Sequence, residues 1–253
     1  YAFLAAYGGK SPGSTKFSAF PKLPQMNWRI TYDGLSKLKF AQKLFRSVNI
    51  SHGYRSTYGI ASFNTSLLYK QDGSARDLSN NFIPKEEFGA VAITEQFSPL
   101  IGIDLNFKNN KLTTRFEYKR DRNISLSFTD VQISEVKGQE YVFGIGYRFR
   151  DFKLPFGLQK SKKKGASGND LNLTGDFSLR KNSTIVRRLQ QNIDQPTAGL
   201  TILSFKVAAD YSVNERFNVR LFFDKTINTP LISTSFPTAN TAAGVSVRFT
   251  LAQ

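Results

Sequence analysis

Histidine is the side chain that most often serves as a general base near neutral pH, and this chain contains a single one, His52. Ser51 and Ser56 lie close to it in sequence, and Asp33 is a candidate third member of a Ser–His–Asp arrangement. A hydrolytic site is therefore one hypothesis. We favour the alternative, a structural histidine on a strand, because one histidine near serines is a weak signal for catalysis.

Metal and cofactor chemistry has little support in the residue types. The chain has no cysteine, which excludes disulfides, thiolate metal sites and thiol catalysis. No carboxylates occur at the spacing of a hard-cation site. Gly144 and Gly146 lie within an alternating segment rather than in a dinucleotide loop, and we expect them to let a neighbouring chain or plug approach closely. We predict no enzyme activity, no cofactor and no metal site.

The elements that carry these residues repeat with a period of two. Because successive side chains of a strand point to opposite faces, such alternation predicts strands with one apolar and one polar face. It is clearest in segment 245–251 and recurs in segments 27–33, 46–55, 99–108, 111–119, 140–150, 171–180, 203–213 and 217–225. The pattern predicts about 12–14 strands of about 9–11 residues, the length at which a tilted strand crosses a bilayer.

Charges and aromatic residues separate onto opposite strand faces. The formal net charge of +16 is also typical of nucleic-acid-binding proteins, but those combine basic residues with exposed stacking aromatics. A soluble β-sandwich alternates too, yet charges at strand centres and aromatics near strand ends favour a membrane wall. We predict lumen-facing and lipid-facing residues, respectively Arg115, Arg148, Arg220, Ser246, Arg248 and Thr250, and Val245, Val247, Phe249 and Leu251.

Turn-forming residues predict the connections between strands. Short connections are expected at 108–111, 136–139, 180–183 and 214–216, and longer ones at 151–170, 194–200 and 228–240. Their alternation is typical of short periplasmic turns and long outer loops. If the C-terminus faces the periplasm, the long set lies outside, although segment 71–87 then falls on the inner side. A phase slip between Phe128 and Val131 predicts a β-bulge.

Three further segments do not fit the strand pattern alone. Segment 183–193 fits a strand and a helix equally well. Segment 35–46 has Leu35, Leu38 and Phe45 at helical spacing and predicts either an amphipathic interfacial helix or a loop with a short helical turn at a barrel rim. The basic segment 160–168 predicts a flexible solvated loop, with attraction to anionic lipid or an acidic partner as the alternative.

Five sequence blocks resemble one family of secretion proteins. The blocks are NWRITYDGL (27–35), HGYRSTY (52–58), QPTAG (195–199), NERFNVRLF (214–222) and STSFPTANTAAGVSVRFTLAQ (233–253). They are similar to the C-terminal part of the SprA/Sov family, the giant outer-membrane translocons of the Bacteroidetes type IX secretion system, which is associated with gliding motility. The resemblance extends with gaps from Phe17 to Gln253, and segments 71–87 and 160–168 match less well.

The resemblance implies both a fold and a function. It implies an all-β, antiparallel transmembrane barrel of about 36 strands, in which residues 1–253 would be the C-terminal segment of one barrel domain and roughly a third of its wall. The implied activity is conduction of folded cargo proteins, gliding adhesins included, across the bacterial outer membrane. An alternative that the residues leave open is a self-contained outer-membrane porin or receptor barrel for small solutes.

The same resemblance implies the partners. They are the upstream part of the barrel, a lipid-facing barrel partner at a lateral opening, a periplasmic plug protein, secreted cargo and outer-membrane lipid, with no nucleic acid. The chain starts at Tyr1 without an initiator methionine or an export signal, so we expect a processed chain or the C-terminal piece of a longer one. In the second case both ends of its sheet should be free edges.

Overall fold

The computed structural model describes residues 26–72, 74–150, 152, 170–214, 217–232 and 235–250, together with residues 9 and 11. Strands dominate these ranges, in the order β1 Trp28–Tyr32, β2 Phe45–Ala61, β3 Asn64–Thr65, β4 Glu86–Glu87, β5 Ala90–Phe107, β6 Leu112–Ser127, β7 Gln132–Phe149, β8 Leu171–Arg188, β9 Ile193–Asn214, β10 Phe217–Pro230 and β11 Thr238–Phe249. No helix within the described ranges is long and apolar enough to cross a membrane.

Nine strands form one antiparallel sheet, in the order β1-β2-β5-β6-β7-β8-β9-β10-β11. Each strand pairs with the next along the chain, and the short pair β3–β4 lies inside the connection between β2 and β5. The predicted all-β, antiparallel fold is confirmed. Within the described residues β1 pairs only with β2, and β11 only with β10, so both are edge strands and the sheet does not close.

Within the described residues the strands are fewer and longer than the sequence predicts. Strands β5, β7 and β8 each have 18 residues and β9 has 22. Segments 136–139, 180–183 and 194–200, which we expected to be connections, lie inside β7, β8 and β9. Turn-type residues are abundant there because both faces of the strand are polar. Gly138, for example, leaves room for the Asp121 carboxylate on the facing strand.

The predicted alternation of short and long connections is therefore wrong. Connections 33–44 and 108–111 lie at the end of the sheet where β11 terminates, as does the one from Phe149 to Leu171. Connections 62–89, 128–131, 189–192 and 231–237 lie at the opposite end. Segment 71–87 therefore lies at the end of the sheet opposite the C-terminal end of β11. The basic segment 160–168 lies outside the described residues.

Local predictions also change. The phase slip between Phe128 and Val131 is a turn in which Val131 has a φ of 48°, rather than a bulge. Register shifts occur instead in β2, β5 and β10 and between Thr184 and Ile185. Segment 183–193 is not helical, because β8 continues to Arg188 and a turn leads into β9.

The predicted helix over 35–46 is divided into two short turns. A 3₁₀ helix spans Gly34–Lys37 and helix α1 spans Lys39–Leu44, separated by Leu38 with an extended ψ of 135°. Phe45 already belongs to β2. Only Ala41 of α1 is buried, whereas Phe40 and Leu44 are exposed. This arrangement is the short helical turn of the second hypothesis rather than a continuous interfacial helix.

Candidate functional site

His52 has structural partners. Its Nδ1 lies 2.7 Å from the carbonyl oxygen of Leu100, to which the ring N–H donates. The imidazole lies between two aromatic rings, with centroid distances of 6.4 Å to Trp28 and 6.0 Å to Phe97. Through these contacts the His52 ring links β2 to β1 and β5.

The other residues of the hydrolytic hypothesis are not brought to His52. Strand register places Ser51 opposite Thr31, on the face of the sheet away from His52. The Ser56 backbone N–H donates to Asn27 Oδ1 at 2.6 Å, and no hydrogen bond joins Ser56 or Asp33 to His52 within the described residues. In the part of the chain that the structure describes, no three potential metal ligands come together either.

Strand register divides the large sheet into two faces, which we call the polar face and the apolar face. Arg115 lies on the polar face opposite Gly144, and Arg148 lies there opposite Asn172. Arg220 faces Ser246 across the β10–β11 ladder, and Arg248 faces Asn218. These five predicted lumen-facing residues thus share one face. Thr250 follows the end of β11 and has no strand partner.

The predicted lipid-facing residues lie on the apolar face. Val245, Val247 and Phe249 pair across the ladder with Leu221, Val219 and Phe217, and they are more than half exposed. Leu251 lies outside the described residues. The partition that alternation predicted for β11 therefore extends to β10 in the same register.

A row of four phenylalanines crosses the apolar face. Phe116, Phe143, Phe177 and Phe205 stand directly opposite one another across β6, β7, β8 and β9, and each side chain is 40–46% exposed. Together with the other exposed apolar residues of this half of the face they form what we call the apolar belt: Trp28, Ile30, Tyr32, Ile101, Phe116, Tyr141, Phe143, Ile145, Phe149, Leu173, Phe177, Phe205, Val207, Leu221, Phe223, Val245, Val247 and Phe249.

The apolar belt is large for an exposed patch. On β7 it extends from Tyr141 to Phe149, about 26 Å along the strand, or about 20 Å in height after a tilt of roughly 40°. Across nine strands it is about 40 Å wide. An exposed patch of about 800 Å² exceeds the 300–600 Å² that is typical of the largest patch on a soluble monomer.

Tyrosines border the belt. We call the boundary of the belt that is farther from the C-terminal end of β11 the upper boundary. Tyr118 and Tyr141 stack there with a centroid distance of 4.7 Å, next to the phenylalanine row. Tyr147 and Tyr211 lie near the lower boundary, toward the end of β11. Aromatic rings with a polar tip are favoured where an apolar medium meets water, because the ring and the hydroxyl then each find a suitable environment.

Beyond the upper boundary the same face becomes charged, and we call this half of it the extension. Glu135 is only 2% exposed there and accepts charge-assisted hydrogen bonds from Arg122 at 2.7 Å and Arg187 at 3.2 Å. Lys137 Nζ lies 3.2 Å from the same carboxylate, and Arg187 also pairs with Asp194 at 3.3 Å. One buried carboxylate thus holds three cations from β6, β7 and β8 on the apolar face.

The far end of the extension contains a small buried apolar cluster. Val91 and Ile93 of β5 pair with Leu126 and Ile124 of β6, and all four are less than 10% exposed. Their burial contrasts with the belt on the same face and strands, where side chains of the same type are exposed.

The polar face carries its own ion pairs. Lys119 lies 3.0 Å from Glu117 and 3.9 Å from Glu140, which links β6 with β7. Arg220 lies 3.7 Å from Asp210, linking β10 with β9. Mutually paired surface charges each contribute at most about 1 kcal/mol to stability, so their main consequence is a hydrophilic surface.

Gly144 and Gly146 form the floor of a shallow depression on the polar face. A side chain at Gly144 would begin 2.8 Å from an Asp176 carboxylate oxygen, and one at Gly146 would begin 2.7 Å from the Thr113 hydroxyl. Neighbouring polar side chains of the sheet itself therefore occupy the space above the two glycines. The expectation that they admit a separate chain or plug is corrected accordingly.

The Glu135 cluster was not predicted from the sequence. Its members are 13 and 52 residues apart, and Lys137 lies in a segment interpreted as a turn. The one available signal was the alternation of Glu135, Lys137 and Gln139, which extends the strand pattern upstream of residue 140.

Neither the scan against protein-family models nor the search of curated proteins finds a match for this chain.

Proposed function

We propose that this chain forms part of the wall of a protein-conducting translocon in the bacterial outer membrane, which exports folded cargo proteins, gliding adhesins among them. The observation that carries the proposal is the apolar belt, which eight strands of the nine-stranded sheet expose on one face while the other face is polar. Water on both sides would leave about 800 Å² of contiguous apolar surface unburied.

A lipid contact for the belt follows from its composition and its borders. Phenylalanine and aliphatic side chains lie at its centre and tyrosines at its boundaries, which is the arrangement of barrel walls between two interfaces. The polar face then lines water, and its paired charges give folded cargo a surface with little apolar area to adhere to.

The two edge strands favour a wall that is continued by other strands. An unpaired backbone group in hydrocarbon costs several kcal/mol, so a membrane sheet must be closed or covered. Strands β1 and β11 pair with one neighbour each within the described residues. Upstream strands of the same barrel and a lipid-facing partner barrel at a lateral opening would complete the ladder. A periplasmic plug would close such a wide pore at rest.

Photo-crosslinking in cells tests conduction. A photoreactive amino acid is introduced on the polar face at Ser178, Ser204 or Ser246, and at Phe177, Phe205 or Val247 as matched positions on the apolar face of the same strands. We expect crosslinks to large exported proteins from the polar-face positions only. Passage of small solutes with no cargo crosslinks from any position would contradict the translocon and favour a porin.

A further inference from the structure

One row of residues lies directly beyond the apolar belt. Arg120, Gln139 and Lys181 stand opposite one another across β6, β7 and β8. On the apolar face Arg120 follows Tyr118, Gln139 follows Tyr141, and Lys181 follows Leu179, which lies opposite Tyr141. All three residues of the row are exposed. The row therefore lies where the belt gives way to the charged extension.

The cations of this row are not neutralised by the acidic cluster above them. Glu135 holds Arg122 and Lys137, whereas no ion pair joins Arg120 or Lys181 to another described residue. The Gln139 amide between them carries no charge. The row continues on β9 and β10 with the uncharged residues Thr201 and Thr229. Its basic residues thus lie on β6 and β8, and no acidic residue belongs to the row on these strands.

Geometry and charge together define the ligand. Arg120 and Lys181 are two strand spacings apart, about 10 Å, so a single phosphorylated headgroup or a neighbouring pair can contact both. Arginine binds phosphate through two parallel N–H donors, and long basic side chains extend from an apolar surface toward headgroups. The stacked Tyr118 and Tyr141 and the phenylalanine row below offer an apolar track for acyl chains.

We infer that Arg120, Gln139 and Lys181 form a binding site for the phosphorylated headgroup of a membrane lipid whose acyl chains lie along the apolar belt. The inference rests on the proposed membrane location of the belt. Free phosphate would contact the same cations but would have no acyl chains to bind along the belt. The proposed ligand is therefore a lipid. The Glu135 cluster keeps the second row, Arg122 and Lys137, directed at its own carboxylate and leaves the first row available.

The test compares two double variants of the full-length protein in vesicles of mixed phosphatidylglycerol and phosphatidylcholine. R120Q/K181Q removes two charges from the proposed site, and R115Q/R180Q removes two charges from the polar face of the same two strands. Spin-labelled lipids report the enrichment of phosphatidylglycerol at the protein surface. We expect the first variant to lose up to about fivefold of that enrichment per cation, and the control to match the wild type.

Each other outcome has a defined meaning. Unchanged enrichment in R120Q/K181Q overturns the lipid site while leaving the membrane wall intact, provided the protein stays in the vesicles after an alkaline wash. A wild-type protein that washes off contradicts the proposed function and the lipid site together. Displacement of phosphatidylglycerol by inorganic phosphate at an equal phosphate concentration would overturn the commitment to lipid, because belt contacts would then contribute nothing.

Discussion

The belt and the extension occupy the same face of the same strands, yet they are built for different surroundings. In the belt, Phe143 and its neighbours are nearly half exposed and carry no charge. In the extension, Glu135 is buried beneath three cations, and Ile93 is 2% exposed. Strand pairing continues through both halves without interruption on β6–β7. The backbone ladder is therefore continuous, whereas the side chains of its two halves differ in charge and exposure.

Under the proposed function, the length of a strand and the thickness of the membrane it crosses are separate quantities. The belt accounts for nine residues of β7 from Tyr141 to Phe149, whereas the strand has 18. The remaining half follows the rules of a water-soluble sheet, with buried aliphatic residues and paired charges. Substitutions of one chemical type should consequently have unequal effects in the two halves.

The largest difference is expected for isoleucines on β5. Ile93→Ala should cost about 2–5 kcal/mol of unfolding free energy, because it leaves a cavity inside protein. Ile101→Ala, on the same strand and face, should cost about 1 kcal/mol because lipid fills the vacated space. Denaturant titration in phospholipid vesicles measures both. Equal costs would remove the distinction between a protein-covered extension and a lipid-covered belt.

A charge placed in the belt should be nearly as harmful. Phe143→Arg is expected to lose about 2–3 kcal/mol of stability in vesicles, because the guanidinium would lie inside the apolar belt, about 5 Å above its middle. Gln139→Arg, four residues away on the same face of β7, should change stability by less than about 0.5 kcal/mol. The same titration gives both values. If Phe143→Arg did not lower the stability, the result would indicate that the belt contacts water.

Removal of the extension's central carboxylate should have an intermediate effect. Glu135→Gln leaves three cations around a neutral group and is expected to cost about 1–3 kcal/mol. Glu140→Gln on the polar face loses one 3.9 Å contact and should cost less than about 1 kcal/mol. If the two variants were equally stable, the buried cluster would contribute no more than a surface ion pair.

The smallest effect concerns connection 62–89 at the extension end. Asp77 accepts hydrogen bonds from the Asn81 backbone and side-chain amides and from the Ser79 backbone, which lower the pKa of its carboxyl below the usual value. The resulting local stability is fully present above the unfolded pKa of about 3.9 and is lost as the pH falls through the lower folded pKa.

Amide hydrogen exchange at Ser79 and Asn81, corrected for intrinsic rates, measures this local stability. Protection should decline in the acid range in the wild type, whereas Asp77→Asn should show weak protection with no such acid dependence. A wild-type profile that is flat from neutral pH to pH values well below the ordinary aspartate range would show that Asp77 does not hold the turn.

The two faces could be predicted from the sequence, since alternation is a local property of each strand. Val245, Val247 and Phe249 needed no tertiary information. The strand ends could not be predicted, because Gly138 and Pro196 usually mark turns. In the structure Gly138 makes room for Asp121, and Pro196 lies next to the register shift opposite Thr184 and Ile185.

The Glu135 cluster and the row of Arg120, Gln139 and Lys181 also depend on tertiary information. Both consist of residues on three strands, and only the pairing register states which of them are neighbours. A shift of one residue between β6 and β7 would move either set to the opposite face. The alternation of residue types therefore predicted the composition of each face. The pairing register of the strands determined which residues of a face lie together in a site.

Under the proposed function, the belt contacts lipid and the extension contacts water. Because the chain has no cysteine, a single cysteine carrying a nitroxide spin label can be introduced at Tyr147, Phe143, Gln139 or Lys137. These four positions lie on the apolar face of β7 and run from the belt into the extension. In membranes we predict that dissolved oxygen accelerates the relaxation of the labels at Tyr147 and Phe143. An aqueous nickel chelate should accelerate the relaxation of the label at Lys137. Equal access of the chelate to all four positions would contradict the account.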